Sequence, residues 1–108
     1  MAPRFDSFDQ FWPYYVREHA RPLTRVLHFM GTGCFIGLSL GAFFTAQPWL
    51  LPIGVVAGYG FAWIGHFFVE KNRPATFDYP LWSLRGDFRM FGKMLRGRMA
   101  AELRGASV

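Results

Sequence analysis

From Val26 to Val69 the chain runs for 44 residues without Asp, Glu, Lys or Arg, and every charged side chain lies in residues 1–25 or 70–108. A helix buried in a water-soluble domain rarely needs more than ~12 charge-free residues, whereas a bilayer crossing needs roughly 20. The run therefore has the length of two crossings and a turn. Its one internal break is Ala46-Gln47-Pro48-Trp49, with Pro52 close behind, where a helix interior would lose a backbone donor and clash with the preceding turn. This pattern predicts transmembrane helices over about 26–46 and 49–70, each long enough for a ~30 Å hydrocarbon core at ~1.5 Å rise per residue. The short connector makes the two helices antiparallel neighbours, and Trp49 falls where an interfacial aromatic anchor is expected.

The flanks have a different periodicity. Residues 7–25 read as an amphipathic juxtamembrane segment, in which Phe8, Phe11, Trp12 and Tyr15 recur at helical spacing behind a Ser7-Phe8-Asp9-Gln10 capping box. Pro13 either starts this helix or kinks it. Beyond the second crossing, Asn72-Arg73-Pro74 ends the helix because the residue before a proline is pushed out of the α region. Over 80–99, Leu81, Leu84, Phe88, Phe91, Leu95 and Met99 repeat at three and four while Arg85, Arg89, Lys93 and Arg96 fall largely elsewhere, the pattern of a helix lying in the headgroup plane. The last residues, from Arg104, are expected to fray. The fold class expected is an all-α integral membrane protein: one membrane domain over residues 1–108, built as a two-helix transmembrane hairpin with amphipathic interfacial helices on either side.

Charge sets the orientation. Arg4, Arg17, Arg21 and Arg25 precede the hairpin, eight Lys or Arg follow it, and the connector has none, so both termini are expected on the cytoplasmic side. The net charge of +5 and a pI near 10 are explained by that topology, and nucleic acid is not an expected partner. Ten arginines against two lysines point by association to a high-GC bacterium and hence to an inner membrane. The single cysteine, Cys34, leaves no intrachain disulfide and no CxxC motif. Gly33, Gly37 and Gly41 form one small-residue ridge and Gly54, Gly58 and Ala62 another, which lets helix backbones approach closely in lipid.

Chemistry is concentrated in three histidines and one acid. His28 lies three residues inside Arg25 and His66 five inside Lys71, so an antiparallel hairpin brings both to the same cytoplasmic depth. His19 sits just outside, and Glu70 shares the face of His66 four residues on. An ionisable group inside a membrane segment is costly and is by default a functional candidate. Three imidazoles and a carboxylate form a ligand set for non-heme iron(II), zinc or manganese. The helical wheel opposes part of this: at ~100° per residue His28 points nearly opposite the Gly33 ridge. Convergence then requires a helix distorted near Gly31, or a hairpin closed on its other face with the ridge left for a second copy, a homodimer.

The stretches YVREHARPLTRVLHFMG, from Tyr15 to Gly31, and FAWIGHFFVEKNRPA, from Phe61 to Ala75, resemble the two signature blocks of the Mpo-like family. The resemblance covers about residues 8–90. It implies an iron(II)-dependent α-oxidation in which a 2-hydroxy fatty acid and dioxygen give an acid one carbon shorter. Under it His19, His28 and His66 are the metal ligands and Glu70 is a fourth catalytic residue. Arg21, Arg25, Lys71 and Arg73 are then expected to hold the substrate carboxylate at the headgroup surface, with the acyl tail along the apolar helices. The competing expectation is a non-enzymatic membrane module that binds anionic lipid or a partner protein through its basic helices.

Overall fold

A computed structural model describes residues 3–106. Its elements are helical: α1 (Phe8–Arg17), α2 (Pro22–Thr45), α3 (Leu50–Ile64) continued by a π turn (Gly65–Glu70), a short 3-10 turn (Ala75–Phe77), α4 (Pro80–Leu95) and α5 (Met99–Gly105). The helix α2 and the continuous helix Leu50–Glu70 are both long and apolar enough to cross a membrane. They form the antiparallel hairpin, while α1, α4 and α5 gather at its charged end around Phe8, Phe11, Trp12, Tyr15, Val16, Met90 and Met99.

Several boundaries differ from those read off the charge pattern, each for a local reason. Pro22 occupies the first turn of α2, where its missing N–H costs nothing, so this helix begins before the charge-free run. It stops at Thr45, with Ala46 in the left-handed region at φ 54. The N-terminal segment is a helix only to Arg17. It starts at Phe8 and passes through Pro13, capped by Ser7 Oγ on the Gln10 N–H at 3.3 Å. The reciprocal half of the capping box is displaced by one residue, since Gln10 Oε1 accepts from the Asp6 N–H. The last amphipathic stretch is two helices: Gly97, at φ +68, turns the chain between them, and α5 stays helical through Gly105, so Arg104 and Gly105 are not frayed as expected, while residues 107 and 108, on which that expectation also falls, lie outside the described residues.

The hairpin does not close on the Gly33, Gly37 and Gly41 ridge. A Cβ at Gly31 would lie 2.7 Å from the Gly58 carbonyl oxygen, and one at Gly54 would lie 3.3 Å from Leu38 Cβ, whereas a Cβ at Gly37 would meet nothing within 4 Å. The contact face of α2 is thus Thr24, Gly31, Phe35 and Leu38. Helix α4 lies across the other face, stacking Phe91 on Phe29 at 4.5 Å and reaching Gly33.

The buried side of α4 is also not its most apolar stripe. Ser83, Gly86 and Met90 are buried, while Leu81 and Leu95 are 78% and 64% exposed. Gly86 allows the approach, because a Cβ there would sit 3.0 Å from the Tyr15 ring. Along the hairpin Phe43, Phe44, Val56 and Phe68 are exposed as well, so α2 and α3 are unlike the core helices of a water-soluble domain.

Candidate metal centre

The three histidines come from three different kinds of segment. His19 lies in the four-residue link between α1 and α2, His28 is two turns into α2, and His66 opens the π turn. A π turn leaves one extra residue in the helix and is recurrent at functional sites. It ends with Lys71 in the left-handed region at φ 60. Gly65 makes the crossing possible, since a Cβ there would lie 3.1 Å from Thr24 Cγ2.

Closure of the hairpin on the Gly31 face turns His28 toward His66. The His19 ring centroid lies 4.5 Å from each of the other two, which are 5.7 Å apart. All three side chains are buried, and each has one ring nitrogen within 4.8 Å of those of the other two.

The remaining nitrogens are spoken for. His19 Nδ1–H donates to the Tyr15 carbonyl at 2.6 Å, His28 Nε2–H to Asp87 Oδ1 at 2.6 Å, and His66 Nδ1–H to Asn72 Oδ1 at 2.8 Å. Carbonyl and carboxylate oxygens only accept, and the Asn72 amide is oriented by its own N–H donating to the Glu18 carbonyl at 3.0 Å. Each of these bonds thus orients its ring through one nitrogen and leaves the other nitrogen out of the bond. His19 Nε2 and His28 Nδ1 are buried with no hydrogen-bond partner, a costly state for polar atoms. Burial, with His28 and His66 as neighbours, pushes the His19 imidazole well below its usual range, so it is a neutral donor at pH 7.

Three buried imidazoles, each with one nitrogen held by an oxygen acceptor, form a group that could hold a metal ion. Two metal–imidazole bonds of ~2.1 Å at a tetrahedral angle place their nitrogens about 3.4 Å apart, so a pair at the 4.8 Å limit has to close by more than about 1 Å when a metal binds.

Two cavities meet here. One, of about 20 Å³, is bordered by the three histidines, Tyr59, Asp87 and the unpartnered hydroxyl of Ser83, and has room for about one water-sized ligand. The other, of about 210 Å³, runs between α2, α3 and α4 from His28 and Asp87 past Thr32 and Gly58 to Phe35 and Val55, with Leu84 and Phe88 closing its side.

The other predicted site residues lie apart from this group. Glu70 accepts the backbone N–H of Arg21 and ties the π turn to the link that carries His19. Arg25 donates to the carbonyls of His19 and Ala20, both at 2.8 Å. Arg73 reaches Asp78 at 3.6 Å and lies over the Phe77 ring. Arg21 and Lys71 are exposed. None of the four basic residues borders either cavity, because Arg25 and Glu70 are used to hold the loop rather than to face the histidines.

Asp87 and Asn72 are the site residues that sequence reasoning missed. Asn72 lies inside the second signature block. Asp87 is the only acid in α4, between Arg85 and Arg89, which was the available signal. Its carboxylate also accepts from the Tyr15 hydroxyl at 2.5 Å.

Comparisons with known proteins agree with the resemblance of the two blocks. The family model described as 2-hydroxy-palmitic acid dioxygenase Mpo1-like matches residues 5–99. Searches of curated proteins and of solved structures give no match. With its signature blocks supplying all three histidines and a match over most of its length, the chain belongs to the Mpo1-like family.

Proposed function

We propose that this protein is a membrane-embedded, iron(II)-dependent dioxygenase of 2-hydroxy fatty acids. The observation that carries the reading is the convergence of three buried histidines on a small cavity that shares His28 and Asp87 with a larger apolar one. His19, His28 and His66 would hold the iron, which when bound supplies the electrons that activate dioxygen. The chain's own contribution is placement. The His28 end of the larger cavity receives the polar head, and Thr32, Phe35, Val55 and Phe88 surround the tail. The Tyr59 and Ser83 hydroxyls border the site of reaction and are the donors available to developing negative charge on oxygen.

The exposed apolar belt on α2 and α3 supports their role as membrane spans, since apolar patches of that extent are not left in contact with water. The basic flanks support a cytoplasmic location for both termini, in a bacterial inner membrane.

The test is direct. Detergent-purified protein loaded with iron(II) and given 2-hydroxypalmitic acid and dioxygen should yield the fatty acid one carbon shorter by mass spectrometry. His66→Ala should lose both metal and product while retaining its helix content. Product formation that persists in all three single histidine-to-alanine variants would exclude the mechanism. A lipid-binding module would contain no stoichiometric metal.

A further inference from the structure

We infer that Asp87 is a positioning residue of the metal centre, fixing the tautomer and rotation of His28 so that Nδ1 is left to coordinate. This rests on the metal-centre reading above. His19 and His66 take their orienting acceptors from nearby in the chain, the Tyr15 carbonyl and the Asn72 amide. His28 takes its own from α4, 59 residues away. Neither neighbouring turn of α2 supplies that acceptor, so the ring is ligand-competent only when α4 is docked.

The docking is built around this carboxylate. Gly86 lets the Tyr15 ring lie against the α4 backbone, which brings the Tyr15 hydroxyl to Asp87 Oδ1 at 2.5 Å. The same oxygen accepts His28 Nε2–H at 2.6 Å. With the imidazole proton held on Nε2, His28 Nδ1 keeps its lone pair, and that atom is buried without a partner. Without the carboxylate the proton can move to Nδ1, and that buried nitrogen ceases to be a ligand. Outer acceptors of this kind typically alter metal affinity by about 10–100-fold.

Asp87 also ties α1 to α4 through Tyr15, and Tyr15→Phe separates the two roles because it removes that tie without touching His28. Cobalt(II) is titrated into full-length protein in detergent and its visible absorption followed, with circular dichroism on every variant. Asp87→Ala should weaken cobalt binding by about 10–100-fold, and Tyr15→Phe should leave it within about threefold while lowering the melting temperature. Should Asp87→Ala fail to fold, Asp87→Leu, which is similar in volume and offers no acceptor to His28, decides the matter with an expected loss of at least about fivefold. Affinity within about threefold of wild type in the folded Asp87 variant overturns the inference, as does an equal loss in Tyr15→Phe. A wild-type protein that binds no cobalt overturns the metal reading itself, and the inference with it.

Discussion

Gly31→Ala tests how the hairpin closes and what that closure does for the site. A methyl at this position would lie 2.7 Å from the Gly58 carbonyl oxygen and 3.0 Å from Phe61 Cβ. The nearer atom is backbone inside a helix and cannot rotate aside, so the helices must separate. Ordinary contact begins at 3.4 Å, which leaves a deficit of about 0.7 Å. Overpacking of this size costs about 1–3 kcal/mol, and alanine's better helix propensity offsets up to about 1 kcal/mol. With the full offset the expected net destabilisation is about 0–2 kcal/mol, and relative to Gly37→Ala, which has the same propensity gain, about 1–3 kcal/mol. His28 lies one turn away, and a ligand constellation tolerates about 0.5 Å of misplacement, so cobalt affinity should fall by at least about tenfold. Gly37→Ala, with open space around its Cβ, is the control: it should leave cobalt affinity unchanged and raise stability by up to about 1 kcal/mol. Thermal unfolding in detergent, read by circular dichroism, and cobalt titration give the two numbers. If Gly31→Ala melts with Gly37→Ala and binds cobalt as tightly as wild type, the close crossing at Gly31 is not what sets the hairpin.

Three further outcomes follow from the site. Asn72→Asp keeps an acceptor for His66 Nδ1–H but loses the donor to the Glu18 carbonyl, so it should retain metal, whereas Asn72→Leu should weaken binding about 10–100-fold by titration. Filling the larger cavity with Thr32→Trp should abolish displacement of a fluorescent fatty acid by 2-hydroxypalmitic acid while leaving metal content unchanged. Chelator-treated protein should lose stability on acidification: the folded pKa of His19 is lowered, so the unfolded chain binds more protons below its usual pKa near 6.5. The penalty is absent above that pH and grows by up to about 1.4 kcal/mol per pH unit below it, measurable as melting temperature between about pH 7.5 and 5.5; a flat profile would contradict a neutral buried His19.

The hairpin was legible because lipid imposes a length and a charge rule that twenty apolar residues either meet or do not. Equal depth for His28 and His66 followed from the same counting. Which face closes was not legible from glycine spacing, since Gly31 belongs to no evident ridge and its role depends on Gly58 approaching from the opposite helix. The π turn at Gly65–Glu70 has no periodicity of its own over six residues. Asp87 escaped notice for a related reason: α4 buries Ser83, Gly86 and Met90 while its more apolar stripe stays outside, so the spacing of apolar residues pointed away from the face that carries the carboxylate. Arg25 was expected to hold the substrate carboxylate and Glu70 to take part in catalysis; both instead hold the link, because their acceptors and donor are backbone groups that no side-chain pattern encodes.

The link from Glu18 to Arg21 has a kinetic consequence. Its backbone is pinned by side chains that reach in from outside it: Asn72 on the Glu18 carbonyl, Arg25 on those of His19 and Ala20, and Glu70 on the Arg21 N–H. These four bonds, the His19 Nδ1–H bond to the Tyr15 carbonyl and the link's backbone bonds to Tyr14 and Val16 separate a closed site from one with His19 swung free, and none belongs to the ladder of α2 or α3. Openings that break few bonds and expose little apolar surface are the most frequent in a native ensemble. Hydrogen exchange should thus be fastest, among the segments that touch the three imidazoles, at the amides of this link. Ligand exchange at the buried nitrogens then has a hinged latch at the charged end of the molecule, whose opening rate sets the exchange rate while the hairpin remains closed.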